Sequence, residues 1–326
     1  MARANALETA LEQLAGIRGD PTSATSLAVL RKVLAGKSGH AAGAAADIVA
    51  EFDIDALVAD LVRAFERLLE QPLRSDPGCA GKAAIADALY RIGAAEVGVY
   101  LKGVRHVQLE PVWGGKADTA TALRGTCGLA LVRVHYPDYL VELGDLLADR
   151  EAPVRKMAAQ AMAYSENPAA VPLLRLKALV GDEDPQVLVE CLQALLAIAP
   201  GPSLEFVARF LDRPEQDVAE AAALALGGSR LKDALAILSA WWERTFDPAL
   251  RRSALLAVAM LKHDEAIQYL LAHVAESAPL HAREAIRALA VYRHDARLRA
   301  QVEAVVQQRD DAALHRDLEK FFDAPT

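Results

Sequence analysis

Aromatic residues are scarce: Phe, Trp and Tyr make up 5% of the 326 residues, although 53% of the chain is hydrophobic. Alanine and leucine therefore carry the apolar content, which suits a core of closely approaching helices, alanine being the strongest helix former. Sustained alternation of β-branched residues is missing, so a sheet-based core is excluded and the expected class is all-α. Three cysteines, Cys79, Cys127 and Cys191, are too few and too scattered for a disulfide framework or a zinc cluster. No uncharged apolar run reaches the roughly 18 residues of a membrane span, so no membrane insertion is expected. Glu8 and Glu12 stand where a secretion signal needs an uncharged core, which points to a cytoplasmic protein. A basic excess is lacking too. The net charge of −8 speaks against a broad nucleic-acid footprint, which needs a basic face.

What is present is repetition. Seven small-apolar pairs, Ala88-Leu89, Ala130-Leu131, Ala161-Met162, Ala194-Leu195, Ala225-Leu226, Ala257-Val258 and Ala288-Leu289, follow one another at steps of 42, 31, 33, 31, 32 and 31 residues. Three positions before each alanine comes Ile85, Cys127, Ala158, Cys191, Ala222, Ala254 or Ala285. Seven before it comes Gly81, Leu123, Val154, Val187, Val218, Leu250 or His281. These offsets trace one stripe on an α-helix, small in the middle as a close helix crossing requires. Pro77, Pro153, Pro185, Pro248 and Pro279 stand at helix starts, with Asp76, Asp184 and Asp247 before three of them as N-caps. A polar turn and a second helix follow each first helix. Antiparallel pairs in about 32 residues, stacked in register, predict an α-solenoid, a right-handed superhelix forming one elongated domain.

The pattern Asp-Pro-x-Val-Arg-x-x-Ala-x-x-Ala-Leu, a turn, then Ala-Val-Pro-x-Leu, resembles the short HEAT repeats of phycobilin lyases. The resemblance spans roughly residues 75–308 and is fullest over 151–200. It specifies an armadillo-like fold, not an activity. The arginine of the pattern is kept at Arg124, Arg155 and Arg251 but replaced by Leu188, Ala219 and Ala282, so a continuous arginine ladder is not expected. Residues 1–75 read as a helical cap with helices near 4–17, 23–35, 40–51 and 54–70 and a degenerate repeat. Residues 76–308 are the array and 309–326 a C-terminal capping helix. The 42-residue step marks an insertion, 104–119, expected as a surface loop ordered mainly by Trp113.

Chemistry-bearing motifs are thin. Gly36-Lys37-Ser38 has Arg31 where a phosphate-binding loop needs glycine, and a helix where it needs a strand. HEAT-like hydroxylases carry His-Glu pairs, and this chain contains no His-Glu dipeptide. His263-Asp264 and His294-Asp295 fall in turns where the aspartate serves as an N-cap. No catalytic, cofactor or metal site is expected. In the resembled family the second helices line the concave face. Aligning them brings Glu142, Leu173, Phe206, Ile237 and Tyr269 to one position, beside a core row of Leu143, Leu174, Val207, Leu238 and Leu270. The apolar members form a strip about 30 Å long, the length of a partner helix of about 20 residues. Trp241 and Trp242 point about 100° apart, so one of them is expected to be partly exposed. The sequence thus predicts a non-catalytic scaffold for a protein or peptide partner, with Leu173, Phe206, Ile237, Trp241, Trp242, Tyr269 and Trp113 as candidate contacts. The alternative is a repeat-built enzyme such as a chromophore lyase.

Overall fold

Each helix start has a local cause. Asp184 Oδ1 accepts from the Gln186 amide at 2.9 Å, and Asp247 Oδ1 accepts from Ala249 and Leu250 at 2.8 and 3.0 Å, each with proline opening the first turn. Asp295 holds the amides of Arg297 and Leu298 in the same way. At the other His-Asp pair the histidine is the cap: His263 Nδ1 accepts from the Ala266 amide, and Asp264 lies inside the first turn, where its charge suits the helix N-terminus. Asp76 also departs from the expected cap. Pro77–Cys79 form a 3-10 turn, and Asp76 reaches round it to the amides of Gly81 and Lys82.

The computed structural model describes residues 2–309 and 311–323, with residues 2–6 by backbone alone. Asp310 and residues 324–326 of the expected C-terminal cap lie outside the described residues. The chain divides into two compact units, residues 1–165 and 166–326. The boundary falls inside one repeat, between its two helices.

The first unit runs α1 (Ala2–Gly16), α2 (Ala24–Leu34), α3 (Gly39–Glu51), α4 (Val58–Glu70), α5 (Pro72–Ser75), α6 (Ala80–Arg91) and α7 (Val97–Val104). A hairpin, β1 (Leu109–Val112) and β2 (Gly115–Asp118), comes next, then α8 (Thr121–Arg133), α9 (Tyr139–Leu147) and α10 (Ala152–Ser165). First helices stack as α1 on α3, α3 on α6, α6 on α8 and α8 on α10. The degenerate N-terminal segment is therefore a working repeat, α3 with α4. Small residues allow these crossings: a Cβ on Gly81 would lie 2.3 Å from the Gly39 carbonyl oxygen, so α3 and α6 meet backbone to backbone.

The second unit runs α11 (Val171–Val180), α12 (Pro185–Ile198), α13 (Pro200–Ala208), α14 (Gln216–Ser229), α15 (Asp233–Arg244), α16 (Pro248–Met260), α17 (Asp264–Glu276), α18 (Pro279–Leu289), α19 (Ala296–Arg309) and α20 (Ala312–Phe322). Here α12, α14, α16, α18 and α20 pack successively, and the second helices lie against them. Ala222, Ala225, Ala254, Ala257, Ala285 and Cys191 are buried at the crossings, as their spacing predicts.

The insertion departs from the expected loop ordered by Trp113. It is a two-stranded antiparallel hairpin with Val112 opposite Gly115, and Gly114 takes the left-handed turn conformation at φ 87°. Trp113 at its tip is fully exposed and orders nothing. The hairpin is held from its base instead. Glu110 Oε1 accepts from the Gly78 amide, Gln108 Nε2 and Thr119 Oγ1 at 2.6, 2.6 and 2.9 Å. Buried Gln108 also donates to the Asp76 carbonyl at 2.8 Å.

Candidate partner-binding surfaces

In the first unit a polar ladder is built from an acid and a base six residues apart. Lys82, fully buried, pairs with Asp76 Oδ2 at 2.8 Å. Arg124 pairs with its own Asp118 at 2.7 Å and with the next rung's Asp149 at 2.9 Å, and it donates to the His106 carbonyl. Arg155 continues the series by donating to the carbonyls of Asp149 and Arg150. A ladder unexpected along the whole array is thus present in this unit, with Lys82 as the rung that an arginine pattern overlooks. The hairpin fills the longer step between Asp76 and Asp118 through Gln108 and Glu110. Burial pushes the Asp118 carboxyl up, but amide hydrogen bonds from Ala120 and Gln108, with Arg124, hold it below its ordinary value. The Gln108 bond does the same for Glu110.

The hairpin and the residue leading into it also carry a group of exposed apolar side chains: Val107, Leu109, Val112 and Trp113. Pro111 has no N–H to offer along the free edge of β1, which disfavours addition of a further strand there. Glu142, the first member of the aligned row, is buried and ion-paired to Arg105.

The rest of the row lies in the second unit, and the structure divides it. Leu173 on α11, Ile237 on α15 and Tyr269 on α17 are half-buried, while Phe206 on α13 is in the core at 4% exposure. The cause is local. α13 ends at Ala208 in a 3-10 turn, which brings Phe210 edge-on to Phe206 at 5.3 Å, and Arg175 covers the Phe206 ring at 4.0 Å. The expected continuous strip is therefore interrupted at Phe206. Trp241 is likewise buried, at 2%, and is no anchor. Its neighbour Trp242 is partly exposed, the division that the 100° step predicts. Leu176, Leu179 and Val180 extend Leu173 into an exposed apolar face of α11, which the row alignment missed because it followed one position per helix.

Trp242 is the centre of a cluster from four helices. His273 of α17 and His281 of α18 meet its ring edge-on at 4.4 and 5.2 Å between centroids. Tyr269 packs on His273 at 4.6 Å. The Arg251 guanidinium of α16 lies 4.9 Å from the Trp242 ring centre, and its Nη1 donates to His281 Nε2 at 2.8 Å. Burial, then the neighbouring His281, lowers His273 below the usual imidazole value, and burial pushes the Tyr269 hydroxyl up to about 12. Trp113 is far from this group in sequence and belongs to the other unit.

Among the described residues no group of three or more His, Cys, Asp or Glu side chains is placed to hold a metal ion. Among them, too, no helix is long and apolar enough to cross a membrane.

Stacked antiparallel helix pairs with small-residue crossings define the class: the chain is an all-α protein built as an α-solenoid. The repeats between residues 140 and 290 are HEAT repeats, the family whose sequence model matches residues 140–225 and 203–290. No curated protein matches the chain. Among solved structures it is similar to the CpcE–CpcF complex of phycocyanin lyase from Nostoc sp., at 19% identity and TM-score 0.38, over 75% of this chain and 94% of that one. It is also similar to human deoxyhypusine hydroxylase in complex with glycerol, at 17% identity and TM-score 0.32, over 83% and 97%.

Proposed function

We propose that the chain is a non-catalytic scaffold that binds a protein or peptide partner through the second helices of its second unit. The observation that carries this reading is the apolar face of α11. Leu173, Leu176 and Val180 fall at i, i+3 and i+7, and the last two expose 61% and 76% of their surface. Half-buried Ile237 and Tyr269 occupy the equivalent position on α15 and α17. An i, i+3, i+7 array of exposed aliphatic side chains suits an apolar partner segment laid against it. The three positions Leu173, Leu176 and Val180 are aliphatic, so this contact itself is expected to depend weakly on salt.

The test uses the intact chain as bait in its native lysate, with the Leu176→Asp/Val180→Asp variant beside it. Both side chains are exposed, so the helical spectrum stays as in wild type. A retained protein should bind the variant about 30-fold more weakly, corresponding to a loss of about 2 kcal/mol at an anchor pair. Equal retention by both proteins, or none by wild type, counts against the reading.

A further inference from the structure

The six-residue spacing of the ladder gives a rule against which the second unit can be compared. Asp76, Asp118 and Asp149 stand six residues before Lys82, Arg124 and Arg155. In the second unit the rule survives by halves. At Asp182 and Leu188 the acid remains without its arginine and is paired to Lys177 at 2.8 Å instead. At Thr245 and Arg251 the arginine remains without its acid.

Arg251 is consequently a half-buried cation with neutral neighbours. Its Nε donates to the Thr245 carbonyl, its Nη1 to His281, and its face lies over Trp242 and Phe246. No carboxylate among the described residues is within ion-pair distance of it. Asp247, two residues past Thr245, is occupied in capping α16 and receiving the Gln216 amide group. Glu276, on the next acid position, is exposed, as is Glu243. A second unmet demand lies beside the first: the Trp242 indole Nε1–H is buried and has no acceptor. Buried donors are almost always paired, and a guanidinium fork matches a carboxylate in two hydrogen bonds. Two exposed apolar side chains flank the cluster in sequence: Phe246, 84% exposed, whose ring Arg251 also covers, and Leu280, 59% exposed, next to His281.

The geometry points to a carboxylate-binding site at Arg251, Trp242 and His281, filled by an Asp or Glu side chain of a partner segment whose adjacent apolar residues cover Phe246 and Leu280. The partner's acid takes the place left by the ladder aspartate. A small free anion satisfies the charge but leaves the two apolar side chains in water, so the occupant is a peptide. This rests on the scaffold reading and gives it a second, chemically specific contact.

The rule supplies its own test. Thr245→Asp restores the missing acid in cis, at the spacing that brings Asp118 onto Arg124. Isotope-labelled full-length chain is titrated with a pentapeptide pool carrying a central glutamate between apolar residues, and with the matching glutamine pool. The readout is the Trp242 indole N–H resonance, assigned with Trp242→Phe. The glutamate pool should shift and saturate that resonance and bind at least tenfold tighter than the glutamine pool. Arg251→Gln and Thr245→Asp should each erase that advantage, and Thr245→Asp should also raise the thermal midpoint, which shows that the fold is intact. Equal binding of the two pools, an undiminished advantage in Thr245→Asp, or saturation by acetate at the concentration needed for the peptide overturns the site. An empty wild-type bait in the lysate experiment sinks the scaffold reading instead, whatever the peptides do.

Discussion

Removing the Asp76 carboxylate is the most severe single-residue test of the ladder. It accepts three hydrogen bonds, from the amides of Gly81 and Lys82 at 2.8 and 2.9 Å and from Lys82 Nζ at 2.8 Å. Both side chains are buried, at 1% and 0% exposure. In Asp76→Ala the ammonium of Lys82 is left without a counter-charge, a loss of about 3–5 kcal/mol. Two amides lose their acceptor as well, at about 1 kcal/mol each. The expected destabilisation is therefore about 5–7 kcal/mol, a third or more of the stability of an ordinary domain. Lys82→Met should be milder, about 3 kcal/mol, the low end for breaking a buried pair, because the carboxylate keeps both amide donors and the thioether fills the volume. Urea unfolding followed by helical circular dichroism measures both. Hydrogen exchange of the 80–91 amides accompanies it, because two units need not unfold in one step. An Asp76→Ala chain within about 1 kcal/mol of wild type, or Lys82→Met worse than Asp76→Ala, refutes the reasoning.

Gly81→Ala places a methyl 2.3 Å from the Gly39 carbonyl oxygen, and because the obstacle is backbone, α3 and α6 must separate. A loss of about 1–3 kcal/mol is expected, with faster exchange in both helices; an unchanged thermal midpoint contradicts the close crossing. The three thiols are buried, and burial raises all of them, Cys79 and Cys191 to about 12 and Cys127 further. Their thiolate forms are absent near pH 8, so iodoacetamide should label the native chain only at the rate of unfolding, and labelling at the rate of a free thiol contradicts this burial.

The repeat itself was legible because its signal is apolar spacing, and burial acts directly on apolar spacing. Cys127 and Cys191 could be placed at helix crossings from their offset to Ala130 and Ala194 alone. Lys82 could not, since a lysine reads as solvent-facing until its acid is located across a 3-10 turn. The hairpin was hidden for a related reason: Pro111, Trp113 and two glycines break the period-two alternation, and its order comes from Gln108 and Glu110 bonding to residues more than 30 positions away. Phe206 shared its register with half-buried residues on three other helices, and only the shortened α13 turned it inward. The cluster at Trp242 joins α15 to α18, and no local pattern announces such a convergence.

The hairpin also limits how the chain can change by duplication. In the second unit, α12, α14 and α16 meet through the same small-residue stripe, so a helix pair can be copied or deleted as a cassette and its neighbours still match. Between Asp76 and Asp118 this is not so. Gln108 and Glu110 bind the rung before them, while Asp118, at the hairpin's other end, serves the rung after it. Excising that segment strands donors and acceptors on both sides at once. The segment from Asp76 to Arg124 is thus confined to variation by point substitution, whereas the helix pairs of the second unit can be lengthened or shortened as whole repeats.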